Sequence, residues 1–555
     1  MNPGRARQPD LPHESDRDDA PRSARGPVLA ESHAPPQPHK SNLRYAYAVW
    51  IGGIVALFCL HFPHLLADFP NYSPWMDYSK YTDEGWYGNA AARYYIAGHW
   101  YFHGDFNPAV ALPVWPLLLA ILFHFTGVSL AAARALVLAV FGCNLLLTWR
   151  LVRTQAEPWV ALLAVTLLVS SPFLYAFGRL ALLEPTLVCF LLLSWLLALR
   201  LPHASARSQI LLLAAIGLLL CLMVLTKTTA IFVLPSTLYL IARAYDFRWV
   251  SCRALAVTAS AAALPWCAWY FLFVRPHYRV DYQYLFDVNH WAEPSTVGGW
   301  IAAFWYALHG TLWISPTLGI IAALLLLLSL IPWRTRDADP ATSLNPVVAS
   351  LLAAGGIIFF TGWHNHPQPR YYAAVVYPLC IVLALLTADL LRRNRPLFLR
   401  AIGVLALIVM AVVSAAGTIR IAGYIRHPQY EFVTAAKGIA AYIDQHPGQH
   451  RLLLSISGDD LSLMTGVPAI CDDFGTWDLP FRIHAWQPGW YAAWNDIDPG
   501  SLADLQTQYS PERVAAFPAF DDPDRNLLVL YRLVPLPPAQ QTYLTEEENA
   551  DNARK

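Results

Sequence analysis

Residues 208–244 read SQILLLAAIGLLLCLMVLTKTTAIFVLPSTLYLIARA. The stretch 208–225 carries no charge, Thr226–Thr229 break it around a single Lys227, and a second apolar run follows. An α-helix needs about 20 apolar residues to cross a hydrocarbon core of about 30 Å. Inside that core the backbone must satisfy its own polar groups, which favours helices. The two runs therefore read as consecutive crossings joined by a short polar turn. Working outward, similar runs lie at 45–66, 130–149, 158–177, 182–199, 253–274, 312–333, 346–362, 371–391 and 398–418, which makes eleven. Composition agrees: 56% of the 555 residues are hydrophobic and only 14% charged, against about 25% charge in soluble domains. The 21 Trp, 27 Tyr and 25 Phe suit membrane interfaces. Basic and acidic residues balance at 38 each, so no nucleic-acid partner is implied. The eight Cys show no CxxC spacing and lie mostly in or beside apolar runs, Cys471 excepted. Soluble enzyme, disulfide-stapled domain and nucleic-acid binder are excluded.

Charge orients the runs. Clusters at Lys40/Arg44, Arg150/Arg153, Arg200/Arg207, Arg243/Arg248/Arg253, Arg334/Arg336 and Arg392/Arg393/Arg395/Arg400 mark cytoplasmic ends. They alternate without conflict if the shorter run 113–127, PVWPLLLAILFHFTG, does not cross. It is expected as a short helix in the outer leaflet, within one long external loop, 67–129. The fold class is thus an all-α polytopic membrane protein of about eleven spans, N-terminus inside and C-terminus outside. Residues 1–44, rich in Pro, Arg, Asp and Ser, are expected as a disordered cytoplasmic tail. The span-bearing domain covers 45–426. Beyond it, 427–536 reads as a small external α/β domain, with a helix at 430–445 and strands at 451–457, 513–517 and 526–534. A polar tail, 537–555, follows.

On this topology one set of polar residues gathers on the external face. The first loop holds Asp77, Lys80, Asp83-Glu84, Arg93, His99, His103, Asp105 and Asn107; short turns hold Arg179 and Glu184, then Lys227, then His364, His366 and Arg370, followed by Tyr371 and Tyr372. An ionisable group at a membrane-embedded helix end marks a functional site by default, because burying it is costly. Several of these residues also fit plainer roles. Asp83-Glu84 fits a solvated helix start; Arg179 fits a snorkelling cation or a structural partner of Glu184. His364 and His366 fit a loop surface as well as a metal. Gly458-Asp459-Asp460 and Asp472-Asp473 read as turns with no role. Tyr278, Tyr282, Tyr284 and Trp291 fit an interfacial belt better than a substrate groove. Taken together, carboxylates suit removal of a hydroxyl proton, and Lys and Arg suit a phosphate.

The Asp-Glu pair, the leaflet helix LPVWPLLLAIL, the Arg134-led span AARALVLAVFG, and then GRLALLEPTLVCFLL, LTKTTAIFVLP and PRYYAAVVYP occur in that order. In this the chain resembles the protein O-mannosyltransferase and aminoarabinose-transferase superfamily (glycosyltransferase family 39-like), with its membrane-embedded C fold. The resemblance spans about 45–420. It implies inverting transfer of one sugar from a polyprenyl-phosphate donor to an acceptor lipid, glycan or protein outside the cytoplasm. Carried onto this sequence, Asp83 is the general base, Glu84 orients the acceptor or supports that base, and Glu184 stands where relatives more often have Asp. Arg179, Lys227 and Arg370 neutralise the departing lipid phosphate, and Arg93, Tyr371, His364 and His366 are substrate-binding candidates. Relatives often carry a Lys beside the prolines of the leaflet helix; here Val114-Trp115 stand between Pro113 and Pro116.

No cofactor is required on this reading, although an Asp/Glu/His set is also the kind that holds a divalent ion. The implied location is a bacterial inner membrane, with the site facing the periplasm or cell exterior and membrane lipids around the spans. The alternative, a transporter or flippase of a lipid-linked saccharide, predicts broken mid-membrane helices and a repeat between halves; neither shows in the sequence. A non-catalytic glycan-binding scaffold leaves the carboxylates and cations unexplained.

Overall fold

A computed structural model describes residues 40–68, 75, 77–287, 294–331, 345–520 and 522–541. Of the expected disordered tail, 1–39 lie outside these residues, as do Trp291 and most of the polar tail. The chain divides into two compact units, 1–48 and 49–555. Apart from the start of the helix Arg44–Cys59, all that follows concerns the second.

Among the described residues each of the eleven apolar runs contains helix, although 45–66 leaves it after Cys59 and 158–177 breaks between Val169 and Pro172. Seven helices among the described residues are long and apolar enough to cross a membrane: Leu130–Arg153, Glu184–His203, Ala206–Thr226, Trp249–His277, Asn345–Trp363, Pro369–Leu390 and the beginning of Leu397–Asp444. Arg44–Cys59, Val114–Thr126, Pro158–Val169 and Thr228–Ala244 are shorter apolar helices. A helix over Val297–His309, not anticipated, precedes Pro316–Leu330, and the two segments meet at 111° as a bent pair. Pro316 in the first turn explains the restart, since its fixed φ suits a helix start and its missing N–H is not needed there.

The helical core is built round Ala373–Leu390. Of the span containing it, 83% lies inside the protein, whereas Leu397–Arg426 turns Leu405, Ile408 and Val412 outward. This is the pattern of a central helix and a lipid-facing one. The run 113–127 forms a helix over Val114–Thr126, ended by Gly127 at φ 70°, a conformation that costs glycine little. At about 1.5 Å per residue its 13 residues rise about 20 Å, short of the core thickness.

After Arg426 the pattern changes to an α/β layer. Helix Glu431–Asp444 buries Phe432, Ala436, Ile439 and Ile443 at helical spacing, as the sequence predicts. It packs on a sheet of five strands: β1 (Leu453–Leu454), β2 (Ala469–Ile470), β3 (Trp490–Trp494), β4 (Tyr509–Pro518) and β5 (Leu527–Pro535), in order β2-β1-β3-β5-β4. β1 is parallel to β2 and β3; β5 is antiparallel to β3 and β4. Three strands match the sequence expectation, while β2 and β3 were not anticipated.

One reading is corrected, and two gain contacts. Gly458-Asp459-Asp460 is not a surface turn but the first turn of helix Gly458–Thr465, with both Asp buried. Asp472 is likewise buried, its Oδ2 accepting from the Tyr491 hydroxyl at 2.6 Å. The aromatic segment after the seventh run also packs inward in part: the Tyr278 ring lies 4.3 Å from that of Tyr101 in the first loop.

Candidate active site

The first loop is held from both ends. Trp75 donates to the Trp313 carbonyl at 2.9 Å, and Trp269 donates to the Val110 carbonyl at 2.9 Å. Between these points the one-turn helix Asp83–Trp86 buries Asp83 and Glu84, each about 1% exposed. Buried carboxylates need partners, and the two neighbours find different ones.

Asp83 faces Arg370, with Oδ2 2.8 Å from Nε. Its Oδ1 accepts from the Thr82 hydroxyl at 3.1 Å. Asp77 holds the other side of Arg370, accepting from its Nη1 at 2.6 Å and from its backbone N–H at 3.0 Å. Lys227 pairs with Glu184. The Tyr371 ring lies between the cations, 4.7 Å from Lys227 Nζ and 5.0 Å from the Arg370 guanidinium carbon, and Tyr87 lies 5.6 Å from the same Nζ. Asp83, Glu184, Lys227, Arg370 and Tyr371, all selected from the sequence, thus come together from four separate segments. Burial pushes the Asp83 carboxyl above its usual range; Arg370 opposes that, and Asp77 adds to it.

His366 stands beside this cluster. Burial, then the Arg370 charge, bring its imidazole down to about 4, which keeps it neutral. The His364 ring stacks on Phe360 at 5.3 Å. Asp77, named in the loop's polar set but given no role there, is the added member.

Glu84 points elsewhere. Its two oxygens accept from Arg134 Nε at 2.8 Å and Nη2 at 2.5 Å, and Oε1 also takes the Ala181 N–H at 2.8 Å. Arg179 does not pair with Glu184: it donates to the Tyr175 hydroxyl at 2.5 Å and to the carbonyls of Pro63 and His64. Arg93 joins a third buried group. It pairs with Asp105 and with Asp459 at 3.0 Å, and donates to Asn107 at 3.1 Å, while Arg482 reaches Asp105 at 3.4 Å.

Among the described residues one set has metal-ligand spacing, Cys471, Asp472 and Asp473, in the α/β layer. Burial, reinforced by the two Asp charges, pushes the Cys471 thiol well up. At Asp83 and Glu184 each carboxylate faces a cation, and those cations, Arg370 and Lys227, are the groups that suit a phosphate.

The family described as Dolichyl-phosphate-mannose-protein mannosyltransferase matches residues 121–282. Among curated proteins none matches. Among solved structures, ArnT from Cupriavidus metallidurans in the apo state aligns with TM-score 0.59 at 14% identity, over 88% of this chain and 98% of that one. The chain shares the overall fold of this ArnT. The same ArnT bound to undecaprenyl phosphate aligns with TM-score 0.58 at 16% identity, over 88% and 98%. The superfamily resemblance read in the sequence is borne out. The likeness extends past residue 426, because 88% of the chain aligns.

Proposed function

We propose that the protein is an inverting glycosyltransferase that moves one sugar from a polyprenyl-phosphate donor to an acceptor outside the cytoplasm. The observation that carries this is the convergence of Asp83, Glu184, Lys227 and Arg370 round Tyr371. Asp83 takes the proton of the acceptor hydroxyl. The freed oxygen attacks the anomeric carbon, the bond from that carbon to the phosphate oxygen breaks, and the lipid phosphate leaves as an anion. Lys227 and Arg370 take up its charge, with Glu184 and Asp77 holding them beforehand; such fixed electrostatic stabilisation is expected to dominate. The raised affinity of Asp83 for a proton suits a base. Glu84, tied to Arg134 and Ala181, supports that base by fixing the turn rather than by touching the acceptor. Arg179, Arg93 and His364 then act as scaffold, and His366 and Tyr371 line the site.

Eleven spans with the loop and the α/β domain on the same external side agree with a contact of this fold. Gly85 donates to Asp460, so an even number of crossings separates them; ten lie between on this reading. The carrier is undecaprenyl phosphate in a bacterial inner membrane. The ArnT structure bound to that lipid supports this choice.

The test offers a panel of undecaprenyl-phosphate monosaccharides to membranes containing the protein and follows labelled sugar into an acid-stable product. Transfer that disappears with Asp83→Asn is expected. Full transfer by Asp83→Asn sinks the base assignment, and no transfer from any donor sinks the transferase reading.

A further inference from the structure

The base-bearing turn is capped in an unusual way. A helix leaves its first backbone N–H groups without intrahelical partners, and a Ser or Thr at the N-cap normally accepts from one two or three residues on. Thr82 is the N-cap of Asp83–Trp86, yet its side chain makes no capping bond; its hydroxyl donates to Asp83 Oδ1 at 3.1 Å. The Gly85 N–H is taken instead by Asp460 Oδ1, 375 residues away.

The fit around this bond is tight. A methyl on Gly85 would collide with the Asp459 carbonyl group and with Asp460 N, so two backbones touch where only glycine fits. Asp460 is about 1% exposed, and among the described residues its Oδ2 has no hydrogen-bond partner. The hydrogen bond that its carboxyl makes is to the loop, not to the α/β layer. Asp459 beside it holds the next helix, accepting from Asn89 at 3.3 Å and from Arg93 at 3.0 Å.

We propose that Asp460 is a positioning residue for Asp83: by capping Gly85 it relieves Thr82 of that task and leaves the Thr82 hydroxyl to orient the Asp83 carboxylate. The external α/β domain is thereby a working part of the active site. This rests on the transferase reading given above. A displacement of about 1 Å at a reacting group costs about 100-fold in rate, so the cap has leverage.

The experiment uses the full chain in membranes, with the undecaprenyl-phosphate monosaccharide that the wild type turns over. Asp460→Ala is expected to lower kcat by about 10- to 100-fold with donor KM little changed. Asp460→Asn, whose amide oxygen still accepts from Gly85, restores it. Ala at wild-type kcat, or Asn as impaired as Ala, overturns the proposal. If Asp460→Ala fails to reach the membrane, Asp460→Asn and Asp460→Glu carry the test: Asn keeps turnover, and Glu, too long for the buried contact, loses it. The reverse order overturns the proposal. Hydrogen exchange over 81–88 gives a readout independent of chemistry. Faster exchange in Asp460→Ala but not in Asp460→Asn supports the cap; equal exchange in all three overturns it. If the wild type transfers no sugar, the transferase reading has failed, and the exchange result still decides the cap.

Discussion

Asp83 and Glu84 are adjacent, equally buried and chemically alike, yet their partners assign them opposite tasks. Asp83 faces a cation of the site, whereas Glu84 makes a paired contact with Arg134 inside the protein. Asp83→Asn is therefore expected to remain folded and lose about 10²- to 10⁴-fold in transfer, the usual worth of a general base. Glu84→Gln strands Arg134 in a buried position, a break worth about 3–5 kcal/mol. Less protein in the membrane and a lower unfolding temperature are expected; normal accumulation of the Glu84 variant refutes this division. The pH profile carries the second prediction. On the proposed reading the base works deprotonated and burial raises its pKa, so kcat/KM is expected to fall as pH drops through a value above the ordinary 3.8 of a carboxylate. Arg370 opposes that rise; Arg370→Gln therefore moves the acid limb to still higher pH in whatever activity remains. A limb at the ordinary carboxylate value, or one that moves down, counts against Asp83.

At the scale of elements, the loop and the α/β domain cap each other. Asp68, at the start of the first loop, accepts from the backbone N–H groups of Phe432 at 2.9 Å and Val433 at 3.3 Å. These open helix Glu431–Asp444, whose own N-cap, Tyr430, makes no side-chain capping bond. Asp68→Ala is expected to cost about 1 kcal/mol, within the range of about 0.5–2 kcal/mol for caps, seen as a lower unfolding midpoint in detergent. An unchanged midpoint removes Asp68 from that role. Helix 431–444 was legible because its apolar residues recur at helical spacing over four turns. β3, WYAAW, was not: five apolar residues without alternation do not distinguish a buried strand from anything else. Gly458-Asp459-Asp460 misled for a physical reason, since the residues that favour turns also favour helix starts. Asp83, Lys227 and Arg370 were legible as ionisable groups at helix ends. Which cation pairs with which acid was not, because pairing is set by packing between segments far apart in sequence. Glu84 with Arg134, rather than with the site, is the clearest instance.

For the whole molecule the geometry fixes which surfaces share a side. His99 and Gln487 are exposed on the loop and on the α/β domain, and Asn394 is exposed in the turn after Ala373–Leu390. Single cysteines at 99 and 487, in a chain without its native Cys, are expected to react with an impermeant maleimide from outside intact cells. Cysteine at 394 is expected to react only after permeabilisation. Labelling of 99 and 487 from opposite sides contradicts the Gly85–Asp460 contact as well as the eleven-span reading. The seven long helices and the shorter ones were legible as apolar runs, while the 111° bend between Val297–Trp313 and Pro316–Leu330 was not, because hydropathy carries no direction.

The reciprocal caps also set an order of events. A chain emerges from the ribosome N-terminus first, so the turn bearing Asp83 is made and exported long before Asp460 exists. Until the last fifth of the chain has crossed, Gly85 lacks its acceptor and Arg93 lacks Asp459. An unfinished polypeptide that stops short of residue 460 thus carries Asp83 on an uncapped turn, and on the reading proposed above its site is assembled only late in synthesis.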